Sequence, residues 1–124
     1  MRKSQILRGR TSFERVFRTG GRIDGKLFRF HLLHEASQEP AVRVGFAVPA
    51  RALPAVRRNR VRRLMRAAFR AEQHLLEEQL RRARSSLEGV LVYRPKQKHE
   101  VRKLGLQDVR DDLARIVRLV CERL

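Results

Sequence analysis

The stretch RRNRVRRLMRAAFR, residues 57–70, indicates both how this chain folds and what its surface carries. Seven of these fourteen side chains are arginines and none is acidic. On a helix of 3.6 residues per turn the apolar residues share one stripe, and most of the polar ones lie opposite it. The stripe comprises Val61, Leu64, Met65, Ala68 and Phe69, and the opposite face comprises Asn59, Arg62, Arg63, Arg66 and Arg70. The pattern predicts a helix that buries one side and presents guanidinium groups, which suit phosphate oxygens, on the other.

The start of this helix carries cations where helices favour anions. Pro54 fits the first turn, and Arg57, Arg58 and Arg60 follow it near the positive end of the macrodipole. A bound phosphate would turn this cost into a gain, because the free N–H groups, the dipole and the arginines all attract it. An ordinary solvated face is the alternative, but a run of one charge sign favours a face that binds nucleic acid.

The whole chain has 124 residues and a formal net charge of +17. This length favours a single domain, residues 1–124, around one hydrophobic core. The first 70 residues hold eighteen basic and four acidic side chains, so we expect a polyanion to bind there. Because the sequence lacks an apolar run of transmembrane length and a secretory signal, it predicts a cytoplasmic protein with no membrane partner. No obligate protein partner is evident.

Two strands are expected in the first half of the chain. Residues 12–18 predict a short helix, capped by Thr11 or Ser12 and ended by Gly20 and Gly21. Alternating residues at 27–33 and 42–48 predict strands that pair antiparallel, with one apolar and one more basic face.

The second half continues with a helix, a strand and a helix. The arginine helix should run to about Arg84, a strand should follow at 89–93, and residues 96–105 resemble a charged loop. A last helix should begin near Asp108, with Asp111 and Asp112 at its N-terminal turn. Its inward residues would be Leu113, Ile116, Val117, Val120 and Leu124, with Cys121 a small buried hydrophobe beside them. The order α-β-β-α-β-α, with a possible extra short strand, indicates an α+β domain.

The run AVRRNRVRRLMR, residues 55–66, closely resembles the signature of the bacterial ribonuclease P protein subunit. Further landmarks occur in the order found in that family: FERVF at 13–17, LF at 27–28, VRVGFAV at 42–48 and YRP at 93–95. An extended pattern in register is far more specific than a lone Arg-Asn-Arg tripeptide. The resemblance covers roughly residues 7–120.

The resemblance implies a fold like the second domain of ribosomal protein S5, with a left-handed β-α-β crossover. It also implies a protein that binds the catalytic ribonuclease P RNA and the 5′ leader of precursor tRNA, assisting endonucleolytic removal of that leader. By similarity, Arg58, Asn59, Arg60, Arg62, Arg63 and Arg66 belong to the helix that lies against RNA, and we add Arg57 and Arg70 from the charge pattern. Phe13, Phe17 and Phe28 match aromatic positions associated with the leader cleft, which the resemblance places between that helix and the sheet.

Three features depart from the family pattern. Residues 49–51 read Pro-Ala-Arg where relatives carry a small residue or lysine and then lysine. Leu53, followed by Pro54, replaces a glycine that would permit φ > 0. His31 stands where relatives often have tyrosine.

Alternatives remain for the cleft residues. Phe13 and Phe17, spaced i and i+4, could belong to the core instead of a cleft wall. Arg29, His31 and Arg43 share the less apolar strand faces and could contact the leader or only solvent.

The residues form no convincing protein catalytic site. His31 and His34 point to opposite faces of their strand, and His74 and His99 stand in different segments. Asp111 and Asp112 diverge by about 100° on a helix. We therefore expect catalysis to depend on Mg²⁺ held mainly by phosphates of the RNA subunit and the substrate. A ribosomal or general RNA-binding protein would share this charge, whereas a protein nuclease would need a catalytic constellation.

Overall fold

The computed structural model describes residues 10–51, 53–95 and 103–124, and within them the chain forms three helices and four strands. The order is α1 (Arg10–Thr19), β1 (Gly21–Asp24), β2 (Phe28–Ala36), β3 (Val42–Ala47), α2 (Ala55–Ala83), β4 (Ser85–Tyr93) and α3 (Leu106–Arg123). The α+β class is therefore confirmed, and β1 is the extra short strand. Helix α2 ends where expected, whereas β4 begins four residues before the expected start. The predicted loop at 96–105 lies mostly outside the described residues.

One mixed sheet, with strand order β1-β2-β4-β3, forms the middle layer. Strand β4 pairs antiparallel with β2 and parallel with β3, while β1 pairs antiparallel with β2. Helices α2 and α3 cover one face of this sheet and α1 covers part of the other. Because β3, α2 and β4 form a parallel β-α-β unit, the crossover implied by the resemblance is present; its left-handed sense stays a prediction.

The predicted direct pairing of the strands at 27–33 and 42–48 is wrong, because β4 lies between them. The connection between β2 and β3 runs around the start of β4 and does not form a tight hairpin. In it, the Ser37 N–H donates to the Arg84 carbonyl at 2.8 Å, and the Ala41 carbonyl accepts from the Leu87 N–H at 2.9 Å. A central place suits β4, whose middle is apolar on both faces.

The main core lies between the sheet and the pair α2 and α3. Phe28, Phe30 and Leu32 of β2 point into it, as their alternation predicts. Helix α2 contributes Val61, Met65, Ala68, Phe69, Leu76 and Leu80, while Leu64 is half-buried beside them. The predicted apolar stripe is thus confirmed.

Helix α3 also packs into this core, with Leu113, Ile116, Val117 and Val120 buried as predicted. Cys121 is half-buried, less than expected, and partial burial raises the pKa of its thiol.

The placement of Asp112 at the start of α3 corrects the prediction that it serves the helix dipole. Asp108 caps the helix, since its carboxylate accepts the Gly105 N–H at 3.0 Å. Asp112 is instead 4% exposed and accepts the N–H groups of Lys26, Leu27 and Phe28 at 2.7, 2.9 and 3.2 Å. Its carboxylate therefore fixes the turn between β1 and β2 to α3.

Candidate nucleic-acid interface

The start of α2 carries the arginines that the sequence predicts there. Pro54 is the N-cap, one position before the predicted first-turn place, and no side chain caps the helix. The first turn contains no acidic residue, so its N–H groups and positive dipole end lack a local anion. The start of α2 therefore combines two features that favour phosphate.

We define the α2 ridge as the residues on the face of α2 opposite its buried stripe: Asn59, Arg62, Arg63, Arg66 and Arg70. All are exposed except Arg62, which is half-buried and donates through Nη1 to the Asn59 Oδ1 at 3.2 Å. None of its arginines forms an ion pair within the described parts of the chain. These charges therefore remain available to an external polyanion.

Two arginines predicted to bind RNA are engaged with the protein backbone. The Nη1 of Arg58 donates to the carbonyl of Leu53 at 2.9 Å and to that of Ala50 at 3.4 Å. The Nη2 of Arg60 donates to the carbonyl of Leu104 at 2.9 Å, and its Nε is buried without a hydrogen-bond partner. Both side chains therefore hold the segments around the start of α2, a role that the sequence does not reveal. Arg57 is exposed beside them.

The loop before α2 accommodates Leu53 without unusual backbone geometry. Leu53 is half-buried and packs against the main core. Among the described residues only Arg84 is a non-glycine residue with positive φ, so the position of Leu53 does not need the glycine usual in relatives.

We define the open face as the sheet surface opposite α2 and α3. Cross-strand neighbours share a face, so the register brings together side chains from all four strands. Its charged and polar members include Arg22, Arg29, His31, Arg43 and Glu88. Arg22 was not predicted, because β1 is too short to show a clear alternation.

The two aromatic residues of α1 have different surroundings. Phe13 is half-buried and packs with Val16 and Val90 in a small second core. Phe17 remains 47% exposed, and its ring meets the ring of His31 edge-on, with centroids 4.6 Å apart. The structure thus divides the alternatives: Phe13 belongs to a core and Phe17 forms an exposed wall beside the open face.

Phe28 lies between α2 and the sheet, but it is buried in the main core and lines no open cleft there. Phe13 and Phe17 lie on the opposite side of the sheet, beside Val90 and His31, which corrects the implied cleft between α2 and the sheet. The Phe28 ring is 1% exposed and packs in the main core, with its centroid 6.0 Å from that of Tyr93. The alternation of β2 turns it away from His31, so no ring surface is left for a nucleotide.

His31 lies among arginine side chains that disfavour its protonated form. Burial lowers its pKa below the ordinary 6.5, and the charges of Arg29 and Arg22 lower it further, while Asp24 opposes them. The lowered pKa favours the neutral imidazole at pH 7, which offers one donor and one acceptor. The Nε of Arg29 is bonded to Asp24 Oδ1 at 2.6 Å, whereas Arg43 is exposed.

Ion pairs also fix α1 on the open face. Arg15 pairs with Glu35 on β2, and its Nη1 lies 3.4 Å from Glu88 Oε1 on β4. No sequence signal indicates these contacts, because they join residues far apart in the chain. They hold the helix that carries Phe17 next to His31.

Within the described residues, no group of three or more His, Cys, Asp or Glu side chains is arranged to hold a metal ion. No helix among them is long and apolar enough to cross a membrane.

Comparisons with known proteins agree on one family. The family described as Ribonuclease P matches residues 1–120. The ribonuclease P protein component of Shouchella clausii is 32% identical over 118 residues, which cover 95% of this chain and 87% of the relative. That of Chlorobaculum tepidum is 40% identical over 85 residues, which cover 63% and 54%.

Solved structures show the same fold. The ribonuclease P protein from Thermotoga maritima has a TM-score of 0.72 at 23% identity, with 92% of this chain and 96% of that chain covered. The protein from Staphylococcus aureus has a TM-score of 0.71 at 14% identity, with 95% and 96% covered. The arrangement of the sheet between α1 and the pair α2 and α3 is therefore shared with these proteins.

Proposed function

Because the chain belongs to the ribonuclease P protein family and is thus a subunit of that holoenzyme, we propose that its two surfaces bind two different RNAs. The α2 ridge binds the catalytic ribonuclease P RNA. The open face beside Phe17 binds the 5′ leader of precursor tRNA. The proposal places both activities in the bacterial cytoplasm, in the processing of tRNA.

The unpaired charge of the α2 ridge carries the first assignment. Arg63 and Arg70 are seven residues apart, so the ridge extends about 10 Å between them along the helix axis. Guanidinium groups bind phosphate with two parallel hydrogen bonds, and no carboxylate of the described chain competes for those of the ridge. Arg58 and Arg60 contribute by holding the backbone from which the ridge projects.

The surroundings of Phe17 support the second assignment. An exposed ring provides a stacking surface for a base of single-stranded RNA, worth about 1 to 3 kcal/mol per base. The neutral His31 beside it can donate to or accept from a base edge. Arg22 and Arg43, both exposed on the same face, are placed for phosphates of the same strand.

We assign the Mg²⁺ used in cleavage to phosphates of the RNA subunit and of the substrate. The carboxylates Asp24 and Glu88 of the open face have cationic partners and do not fit a metal site. Asp24 pairs with Arg29, and Glu88 Oε1 lies 3.4 Å from Arg15 Nη1. The proposed role of the protein is therefore to neutralise and position RNA, while the RNA subunit carries the catalytic groups.

Reconstitution tests the first assignment. The chain is combined with a bacterial ribonuclease P RNA at low Mg²⁺, and RNA affinity and cleavage of precursor tRNA are measured. We expect stimulation by the wild type and weaker RNA binding by the Arg63→Ala, Arg66→Ala double variant. The slope of log affinity against log salt should fall by about 1 for each lost phosphate contact.

Arg118→Ala is the matched control, since it removes an exposed arginine from α3. The absence of stimulation by the wild type would refute the function. Tight binding to ribosomal RNA without dependence on a leader would favour a general RNA-binding protein instead. A double variant with an unchanged salt slope would assign the ridge to solvent.

The leader assignment is tested with Phe17→Ala and substrates with leaders of different lengths. We expect the variant holoenzyme to lose about 1 to 3 kcal/mol of affinity for leader-bearing substrates. Its affinity for ribonuclease P RNA and for tRNA without a leader should stay unchanged. Leu75→Ala, which truncates another exposed apolar side chain, is the control. Equal losses with and without a leader would contradict the assignment.

A further inference from the structure

A basic concavity lies at the C-terminal end of α2. It has a volume of about 810 Å³ and lies between the β2–β3 connection and the last turn of the helix. Its lining residues are Ala36, Ser37, Gln38, Pro40, Arg81 and Arg84. Neither the ridge nor the open face includes any of these residues.

The two arginines of this concavity carry uncompensated charge. Arg81 and Arg84 are both exposed, and neither forms an ion pair within the described residues. Arg82, between them, is paired with Glu78 at 3.1 Å. Arginines in the last turn of a helix also stabilise the helix dipole, which would account for Arg81 and Arg84 near the helix end. The dipole does not explain why both guanidinium groups line a concavity without an ion-pair partner among the described residues.

The backbone of Arg84 supplies an independent observation. It adopts a left-handed conformation, with φ 51° and ψ 50°, which is strained for a residue with a Cβ atom. Glycine is the residue usual at such a helix end. The Arg84 N–H donates to the Arg81 and Leu80 carbonyls, and its own carbonyl accepts from Ser37. The backbone role thus needs no arginine, and these hydrogen bonds hold the residue at the edge of the concavity.

We propose that this distal concavity binds phosphate groups of RNA, as a second anchor remote from the α2 ridge. Arg81 lies 15 residues and Arg84 lies 18 residues after Arg66, so the two sites lie about 25 Å apart along the axis. One rigid helix would then hold two separated RNA segments at a fixed distance. This inference rests on the proposed function for the identity of the RNA, which is either the ribonuclease P RNA or the precursor tRNA.

Salt-dependent binding of the full-length chain tests the distal site. The Arg81→Ala, Arg84→Ala double variant is titrated with ribonuclease P RNA alone, and its reconstituted holoenzyme is titrated with precursor tRNA. We expect affinity to fall on the order of tenfold at low salt in one of these arms, and the salt slope to fall by about 1.4 to 1.8. The arm that changes identifies the RNA. The Arg82→Ala variant is the control, because the Arg82 guanidinium is already paired with Glu78. This variant should change the affinity and the salt slope much less.

Arg84→Gly separates binding from folding. Glycine relieves the left-handed strain, so this variant should unfold at the same or a higher temperature than the wild type, yet bind RNA more weakly. Full RNA affinity in Arg84→Gly, or unchanged slopes in both arms for the double variant, would overturn the distal site. If the wild type itself fails to bind ribonuclease P RNA, the proposed function fails instead. The distal site is then tested by titrating the chain alone, as wild type and as double variant, with precursor tRNA.

Discussion

Asp112 is a buried carboxylate that links α3 to the turn between β1 and β2. It accepts three backbone N–H groups, a set that favours a charged acceptor with two oxygens. The turn leaves little space around it, because a Cβ atom on Gly25 would lie 2.5 Å from the Asp112 Oδ2. Gly25 and Asp112 are therefore a matched pair, and neither tolerates a change without movement of the other.

We expect Asp112→Asn to lower the free energy of unfolding by about 3 kcal/mol. The amide has one acceptor oxygen, and its NH₂ group would face donors, so at least one buried N–H loses its partner. The measurement is the urea midpoint at constant m value.

Asp111→Asn is the control for this change. Asp111 is exposed and, among the described residues, accepts only from the Gln107 side chain, at 2.7 Å, so its replacement should change stability by less than about 0.5 kcal/mol. Equal effects of the two substitutions would show that Asp112 acts only through the helix dipole.

Single residues also show the limit of prediction from sequence. Asp111 and Asp112 look alike in the sequence, and only contacts with residues 26–28 distinguish them. Arg60 likewise belongs to the Arg-Asn-Arg signature, but its carbonyl partner is 44 residues away. Local periodicity identifies the face of a residue and not its distant partner.

Helix α2 has one buried and one cationic side, and its rotation about its axis decides which residues reach RNA. Phe69 is 2% exposed and meets Phe46 edge-on, with ring centroids 5.8 Å apart. This contact fixes the helix against β3. The ridge arginines must then face away from the sheet.

Phe69→Ala should therefore cost about 3 to 5 kcal/mol of stability, because it leaves a cavity in the main core. Leu75→Ala on the same helix should be close to neutral, since that side chain is 45% exposed. Thermal or denaturant unfolding of both variants measures the difference. A neutral Phe69→Ala variant would mean that the helix is rotated from the orientation described above.

The elements themselves were largely predictable, whereas their pairing was not. The apolar stripes of α2 and α3 and the alternation of β2 and β3 predict their burial correctly. The direct pairing of β2 with β3 is wrong because nothing local to either strand shows that β4 enters between them. The apolar middle of β4, Val90 to Val92, is the one available signal, since a strand buried on both faces favours a central position.

The whole molecule concentrates positive charge that its own carboxylates do not neutralise. The formal net charge is +17, and the ion pairs of the described residues all use arginines outside the ridge. Self-repulsion of this size destabilises the compact state in the absence of a polyanion. The isolated chain and its RNA complex should therefore respond to salt in opposite directions.

We expect the melting temperature of the isolated chain to rise by roughly 5 °C as ionic strength increases from about 0.01 to 0.1 M. Over this range the Debye length falls from about 30 to 10 Å, so repulsion between distant arginines is screened. Circular dichroism at matched ionic strengths of sodium chloride and potassium fluoride measures the effect. The two salts should agree if screening is the cause, and a flat or falling melting temperature would contradict it.

The candidate site follows from the sequence where charge or exposure decides it. The ridge residues Arg63 and Arg66 are exposed as predicted. Phe28 is buried and therefore not available to a leader nucleotide. The alternation of β2 predicts this, because it puts Phe28 on the apolar face with Phe30 and Leu32. In that case the family resemblance and the local pattern disagree, and the structure agrees with the pattern.

The hydrogen bonds to Asp112 also determine how fast the backbone amides of the β1–β2 turn exchange with solvent. Amide hydrogens in short surface turns usually exchange for deuterium through small local openings. Those of Lys26, Leu27 and Phe28 are held by a carboxylate 84 to 86 residues away in sequence, on a helix packed into the main core. Releasing all three requires the Asp112 carboxylate to move away from the turn. Deuterium uptake at these three amides therefore reports the separation of α3 from the β1–β2 turn.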